Sequence, residues 1–171
     1  MQIKLYGIKY DGRNLSSQEL IKNPLFAKSL FIFNDNYSEH FTCKQGAGNA
    51  FLRQFNKFSS LEIPKSVGIP TGYHRKGYMS LDEGKTQIDE CLVELITLIS
   101  TGNYDSIVYS INQPDDPLLG TGIFEVSNDV LKYITMMILE VCKDGELYCC
   151  SNTKGQFGPM LIDENIISRY R

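Results

Sequence analysis

From Ser80 onward, apolar side chains recur at Ile88, Cys91, Leu92, Leu95, Ile96 and Ile99, a spacing that places them on one face of a long helix. Ser80 with Glu83 forms a capping box at its start, and Gly102 follows it as a stop. A second helix of the same kind carries Val130, Ile134, Met137, Ile138 and Val141, with Ser127 as its cap. Between the two lies Tyr104 to Ile111, whose Ile107-Val108-Tyr109 run lacks alternation and predicts a strand buried on both faces. Crossover helices of this strength around a buried strand argue for an α/β chain built on a mainly parallel sheet.

The remaining elements fit that frame. Residues 3–9 alternate as a short strand, and Ser16 to Lys22 predicts a short helix capped by Ser16 or Ser17 and stopped by Asn23-Pro24. Ser29 to Phe33 is an apolar run of buried-strand type that breaks off in the turn-favouring Asn34-Asp35-Asn36. Gly48 to Asn56 reads as a helix with Ala50, Phe51 and Phe55 for its buried face. Ser66 to Thr71 reads as a strand ended by Pro70, Gly72 to Met79 as a loop, Glu146 to Cys150 as a strand and Ser151 to Gly158 as an irregular loop. The order predicts a three-layer α/β/α, Rossmann-like arrangement with a mixed, mainly parallel sheet, in a single domain over residues 1–171.

Composition narrows the class of function. Hydrophobic residues at 42% and charged residues at 22% are globular proportions. The net charge of −3 lacks a basic stripe, and His74-Arg75-Lys76 is too short to be one, so duplex nucleic acid and an anionic membrane are disfavoured as partners. The five cysteines, at 43, 91, 142, 149 and 150, are odd in number, with no CxxC pair and no His-Cys cluster. Neither a disulfide framework nor a metal site is expected from them, and no cofactor. Cys91 and Cys142 read as core fillers. The N-terminus has no apolar signal region and no run is long enough to cross a bilayer, so a cytoplasmic location is expected.

Two polar, glycine-bearing segments follow predicted strand ends, where open parallel sheets bind ligands. In the first, Asn34 and Asn36 offer groups to sugar hydroxyls, and Gly46-Ala47-Gly48-Asn49 at a helix start lets backbone N–H groups approach a phosphate. In the second, Gly120-Thr121-Gly122 can form a nest of N–H groups around an anion, with Ile123 beside it and Phe124 able to pack on a sugar or base. Alone, the first segment is equally a turn whose asparagines cap backbone groups, and the second an ordinary βα loop with Phe124 in the core.

Leu119-Gly120-Thr121-Gly122-Ile123-Phe124, followed by Val126-Ser127 and a helix, resembles the second ligand loop of macrodomains, a family that binds ADP-ribose and wraps its diphosphate with this loop. Phe33-Asn34-Asp35-Asn36 with the Gly-Ala-Gly helix start is similar in position to that family's first, Asn-containing loop. From Phe31 to Leu139 the chain also resembles a group of macrodomain-like bacterial and phage proteins, with Val67 to Thr71 as a further shared strand. The resemblance implies a nucleotide ligand such as ADP-ribose, or another NAD-derived small molecule. The family's adenine-reading Asp near the first strand has only Asp11, in a different context, as its counterpart here.

Chemistry on such a ligand would fall to Asp35, positioning a water, or to His40, which has Glu39 beside it and Cys43 three residues on. A capping aspartate and a solvated loop histidine are the competing readings. Asp115-Asp116 has no further metal ligands nearby in sequence, and Tyr73, His74, Arg75 and Tyr78 are either a lid or a surface loop. Three functions therefore stand: a nucleotide binder, a hydrolase of an ADP-ribosyl or nucleotide bond, and a protein-interaction module.

Overall fold

The computed structural model describes residues 2–10, 16–122, 124–150 and 157–171. Its strands are β1 (Lys4–Ile8), β2 (Ser29–Asn36), β3 (Ser66–Tyr73), β4 (Lys76–Gly77), β5 (Ser106–Ser110), β6 (Glu146–Cys150) and β7 (Phe157–Leu161). The helices are α1 (Ser17–Leu20), α2 (Leu81–Ser100), α3 (Asn128–Val141) and α4 (Glu164–Ile167). One seven-stranded sheet runs in the order β4-β3-β2-β5-β1-β6-β7. The five central strands are parallel, and β4 and β7 are antiparallel edges. The expected α/β class and mixed, mainly parallel sheet are thus observed. Among the described residues no helix is long and apolar enough to cross a membrane.

The period of two along β2 separates two cores. Leu30 and Ile32 join Ile88, Leu92 and Leu95 of α2 and Ile134 and Ile138 of α3 on one face. Phe31 and Phe33 join Leu20, Phe26 and Leu52 on the other. Fully burying an aliphatic or aromatic side chain of this kind is worth about 1.5–3 kcal/mol. The long apolar faces of α2 and α3 therefore fix which side of the sheet they cover. Ile96, expected on the buried face of α2, is instead 48% exposed. Ser80 Oγ accepts from Glu83 N–H as expected, but the Glu83 carboxylate takes Met79 N–H, one residue beyond the capping-box partner.

Three local expectations are corrected. Asn34-Asp35-Asn36 does not end the strand, because all three remain paired with β3. Pro70 does not end β3 either, since the strand runs on to Tyr73, with β4 paired only to Gly72 and Tyr73. At Pro70 the strand has β2 as its one partner, and a residue without an N–H is tolerated at such an edge. Residues 72–79 are a hairpin: His74 and Arg75 both have positive φ, 53° and 68°, as a tight two-residue turn requires.

The segment Gly48–Phe55 is helical but of the tighter 3₁₀ kind; Ala50, Phe51 and Phe55 pack half-buried against the second core as expected, and Leu52 and Arg53 are the fully buried residues. The C-terminal residues pack back on the core, with β7 extending the sheet and Ile162, Ile166 and Ile167 buried. That edge of the sheet is the one far from β3 and β4.

Candidate functional site

The chain leaves β2 toward the 3₁₀ layer and leaves β5 toward α3 on the opposite face, so two neighbouring strand ends diverge. Ligands bind at such points in open α/β sheets because the diverging loops leave a crevice. A cleft of about 440 Å³ opens beyond β2 and β3, within the range of small-molecule sites. Its walls are the ends of those strands, residues 44–50, the β3–β4 hairpin, and Gly122, Phe124 and Val126.

Both glycine segments reach this cleft, but not through every expected residue. Gly46, Gly48 and Asn49 line it, as do Asn34, Asp35 and Asn36. Gly48 has φ +59° with open space beside its Cα, a conformation that favours glycine. Ala47, at the start of the 3₁₀ segment, supplies no side-chain cap, so its first N–H groups are left uncapped in the cleft wall. From the second segment, Gly122 and Phe124 line the cleft, Thr121 is exposed outside it, and Gly120 packs against Ile111 instead. Ile123 and Asp11 lie outside the described residues.

The asparagines do more holding than offering. Asn34 donates through Nδ2 to Gly120 O at 2.7 Å, tying the β2 end to the loop after β5. Asn36 Oδ1 accepts from Ser38 N, Ser38 Oγ and His74 N, the last at 2.7 Å, and so fixes the hairpin tip.

The sequence did not reveal the residue that organises this wall. Arg53, 2% exposed, donates through Nη2 and Nε to Asp35 Oδ1 at 2.6 and 3.1 Å. Its Nη1 donates to Lys44 O at 3.1 Å, which holds the 44–50 segment in place. A positive charge beside an apolar helix pattern gives no local sign of burial; its partner, Asp35, is 18 residues away.

His40 is not a solvated loop residue. It is 2% exposed at the edge of β3, with Nδ1 bonded to Asp35 Oδ2 at 2.9 Å and Nε2 against Glu94 Oε2 on α2. Burial alone would lower its pKa, but hydrogen bonds to Asp35, Cys91 and Glu94 outweigh that and raise it to about 11. The imidazole is therefore a cation at neutral pH. Burial also works to raise the Glu94 pKa, yet His40 and Lys57 hold it below the ordinary carboxylate value. Lys57 Nζ lies 2.7 Å from Glu94 Oε1. A chain of alternating charges, Arg53, Asp35, His40, Glu94 and Lys57, thus wraps the β3 edge and joins the two helical layers.

Cys43, the expected neighbour of His40, is exposed; Cys91 of α2 takes that place, so the fold makes the His-Cys cluster that the sequence order lacks. Tyr78 is buried and bonded to Gln87, which removes it from any lid, whereas Arg75 stands on the cleft. Asp116 accepts from Leu118 N at 3.0 Å as a turn residue.

Comparison with protein-family models, curated proteins and solved structures gives no match.

What the cleft offers is charge. Lys44, Arg75 and Lys76 line it, and none of the three takes part in an ion pair among the described residues. The carboxylates on its lining are Glu39 and the Arg53-paired Asp35. In a chain of net charge −3, this is a local reversal of sign. Val126, Ala50 and the 45%-exposed Phe124 ring add apolar surface.

Proposed function

We propose that this cleft binds ADP-ribose or a related nucleotide, in the manner of the macrodomains the sequence resembles, and holds the ligand rather than cleaving it. The observation that carries the reading is the set of three cations, Lys44, Arg75 and Lys76, unpaired among the described residues, around a crevice at diverging strand ends. Phosphates would lie between those cations and the uncapped N–H groups at Gly48 and Asn49, where positive charge and N–H donors favour anions. Phe124 and Val126 would cover a ring.

Binding is favoured over hydrolysis by the state of the two candidate catalytic groups. Asp35 Oδ1 accepts from Arg53 and from Asn36 N at 2.8 Å, Oδ2 faces His40, and the side chain is fully buried, so the carboxylate is engaged in holding the wall rather than open to a water. His40 does not line the cleft, and both its ring nitrogens face carboxylates, of Asp35 and Glu94.

A thermal-shift screen against ADP-ribose, NAD, cyclic nucleotides and nucleoside diphosphates tests the reading, with mass spectrometry of the same mixtures. A ligand at a hundredfold its Kd stabilises the native state by about 2.7 kcal/mol. For a chain of this size that is a rise of roughly 5–10 °C in Tm. Absence of a shift with every compound would defeat the proposal, and conversion of the ligand would restore the hydrolase.

A further inference from the structure

Behind the cleft wall, Asp35 has a second neighbour set. Cys91 and Glu94 are three residues apart on α2 and so share a face, and His40 comes to them from the segment after β2. One ring nitrogen of His40, the Cys91 sulfur and a Glu94 carboxylate oxygen all lie within 4.8 Å of one another. Nitrogen, thiolate sulfur and carboxylate oxygen are the donors that zinc takes, at about 2.0–2.3 Å each. Ligand atoms at those lengths around a tetrahedral centre stand roughly 3.3–3.8 Å apart, so small side-chain shifts suffice.

Two features of the surroundings separate this cluster from a chance contact. The first is the fixing of the outward atoms. His40 Nδ1 is bonded to Asp35, whose other oxygen is held by Arg53, and Glu94 Oε1 is held by Lys57. Nε2 and Oε2 are thereby turned inward, and a carboxylate on the far nitrogen is the usual partner of a metal-bound histidine.

A divalent cation would displace the Cys91 thiol proton and any proton on His40 Nε2, both released to solvent. The second feature is room. A cavity of about 10 Å³ borders His40 and Glu94 on the side away from Cys91, with Asn56, Lys57, Phe58 and Gly68 on its wall, room for about one water molecule beside two of the three donors.

We propose that His40 Nε2, Cys91 Sγ and Glu94 Oε2 bind one zinc-class divalent cation. The ion fastens the segment after β2 to α2 across the edge of β3. Through Asp35 it also stiffens the wall of the nucleotide cleft, although the inference does not rest on what that cleft binds.

The test uses the full chain, purified without a metal-affinity tag, stripped with chelator, and titrated with ZnCl₂ and with CoCl₂. The expected result is one ion per chain by elemental mass spectrometry and a higher Tm with Zn²⁺. The Co²⁺ form should show a thiolate-to-cobalt absorption band in the near ultraviolet. Cys91→Ser should lose the band, and Asp35→Asn should weaken Co²⁺ binding about 10–100-fold by freeing the imidazole. Should Cys91→Ser fail to fold, Glu94→Gln is titrated in its place and should bind at least tenfold more weakly. A wild-type chain that takes up no ion and melts identically with and without Zn²⁺ overturns the proposal. So does a folded Cys91→Ser or Glu94→Gln chain that binds Co²⁺ as the wild type does.

Discussion

Replacing Arg53 by Met keeps most of the buried stem and removes the guanidinium. Arg53 makes three hydrogen bonds, two to Asp35 and one to the Lys44 carbonyl, and its side chain is 2% exposed. Its loss leaves the Asp35 carboxylate, which is fully buried, with His40 as its remaining charged partner. Breaking a buried ion pair from one side costs about 3–5 kcal/mol, and the retained His40 contact places the expected loss toward about 3. The Lys44 carbonyl borders the cleft and can take water, so it adds little. A buried charge in a poor environment is relieved by neutralising it, so Asp35→Asn in the Arg53→Met background should recover part of the loss. Urea unfolding of the wild type, both single variants and the double variant measures this as a coupling of at least about 1 kcal/mol. An Arg53→Met loss below about 1 kcal/mol, or strict additivity in the cycle, would refute the reasoning that the pair organises the wall.

Other substitutions probe other parts. The Asp35 carboxyl sits over Gly68, so Gly68→Ala drives a methyl group into it; the expected cost is about 1–3 kcal/mol by thermal unfolding. Asp129 accepts from Leu81 N and Val130 N, both at 2.9 Å, and so links the starts of α2 and α3. Asp129→Ala should cost about 0.5–2 kcal/mol at neutral pH. The hydrogen bond from Ser127, with those backbone N–H groups, holds the Asp129 pKa below the ordinary value. Its stabilisation is therefore present above the unfolded-state pKa and lost as pH falls through the folded one, so wild type and variant should converge in acid. Gly122 has open space where a side chain would stand, so Gly122→Glu should fold with stability within about 0.5 kcal/mol of wild type. Its carboxylate lies on the cleft lining, and the affinity for ADP-ribose should fall at least tenfold.

The architecture was legible where burial is decided by local period. Ile88, Cys91, Leu92 and Leu95 on α2, and Val130, Ile134 and Ile138 on α3, are all buried as their spacing implies. Part of the cleft lining was legible: Asn34, Asn36, Gly46, Gly48 and Asn49 from one segment and Gly122 and Phe124 from the other meet at one crevice. What escaped depends on partners distant in sequence. Arg53 was invisible because its burial is bought by Asp35, and His40 because Glu94, 54 residues on, reaches it from another helix. The same separation hid the cation lining: Arg75 and Lys76 belong to the cleft only because the hairpin, with positive φ at His74 and Arg75, folds them over it. Cys91 fits the apolar face of α2 by period, and nothing along the chain shows that His40 lies against it.

The most direct measurement is calorimetric titration of the folded chain with ADP-ribose at low and at moderate salt. Binding at one site per chain, weakening as salt screens Lys44, Arg75 and Lys76, is the expected result. A folded chain that gives no heat at high ligand concentration, or whose affinity ignores salt, would contradict an anion-binding cleft at these strand ends.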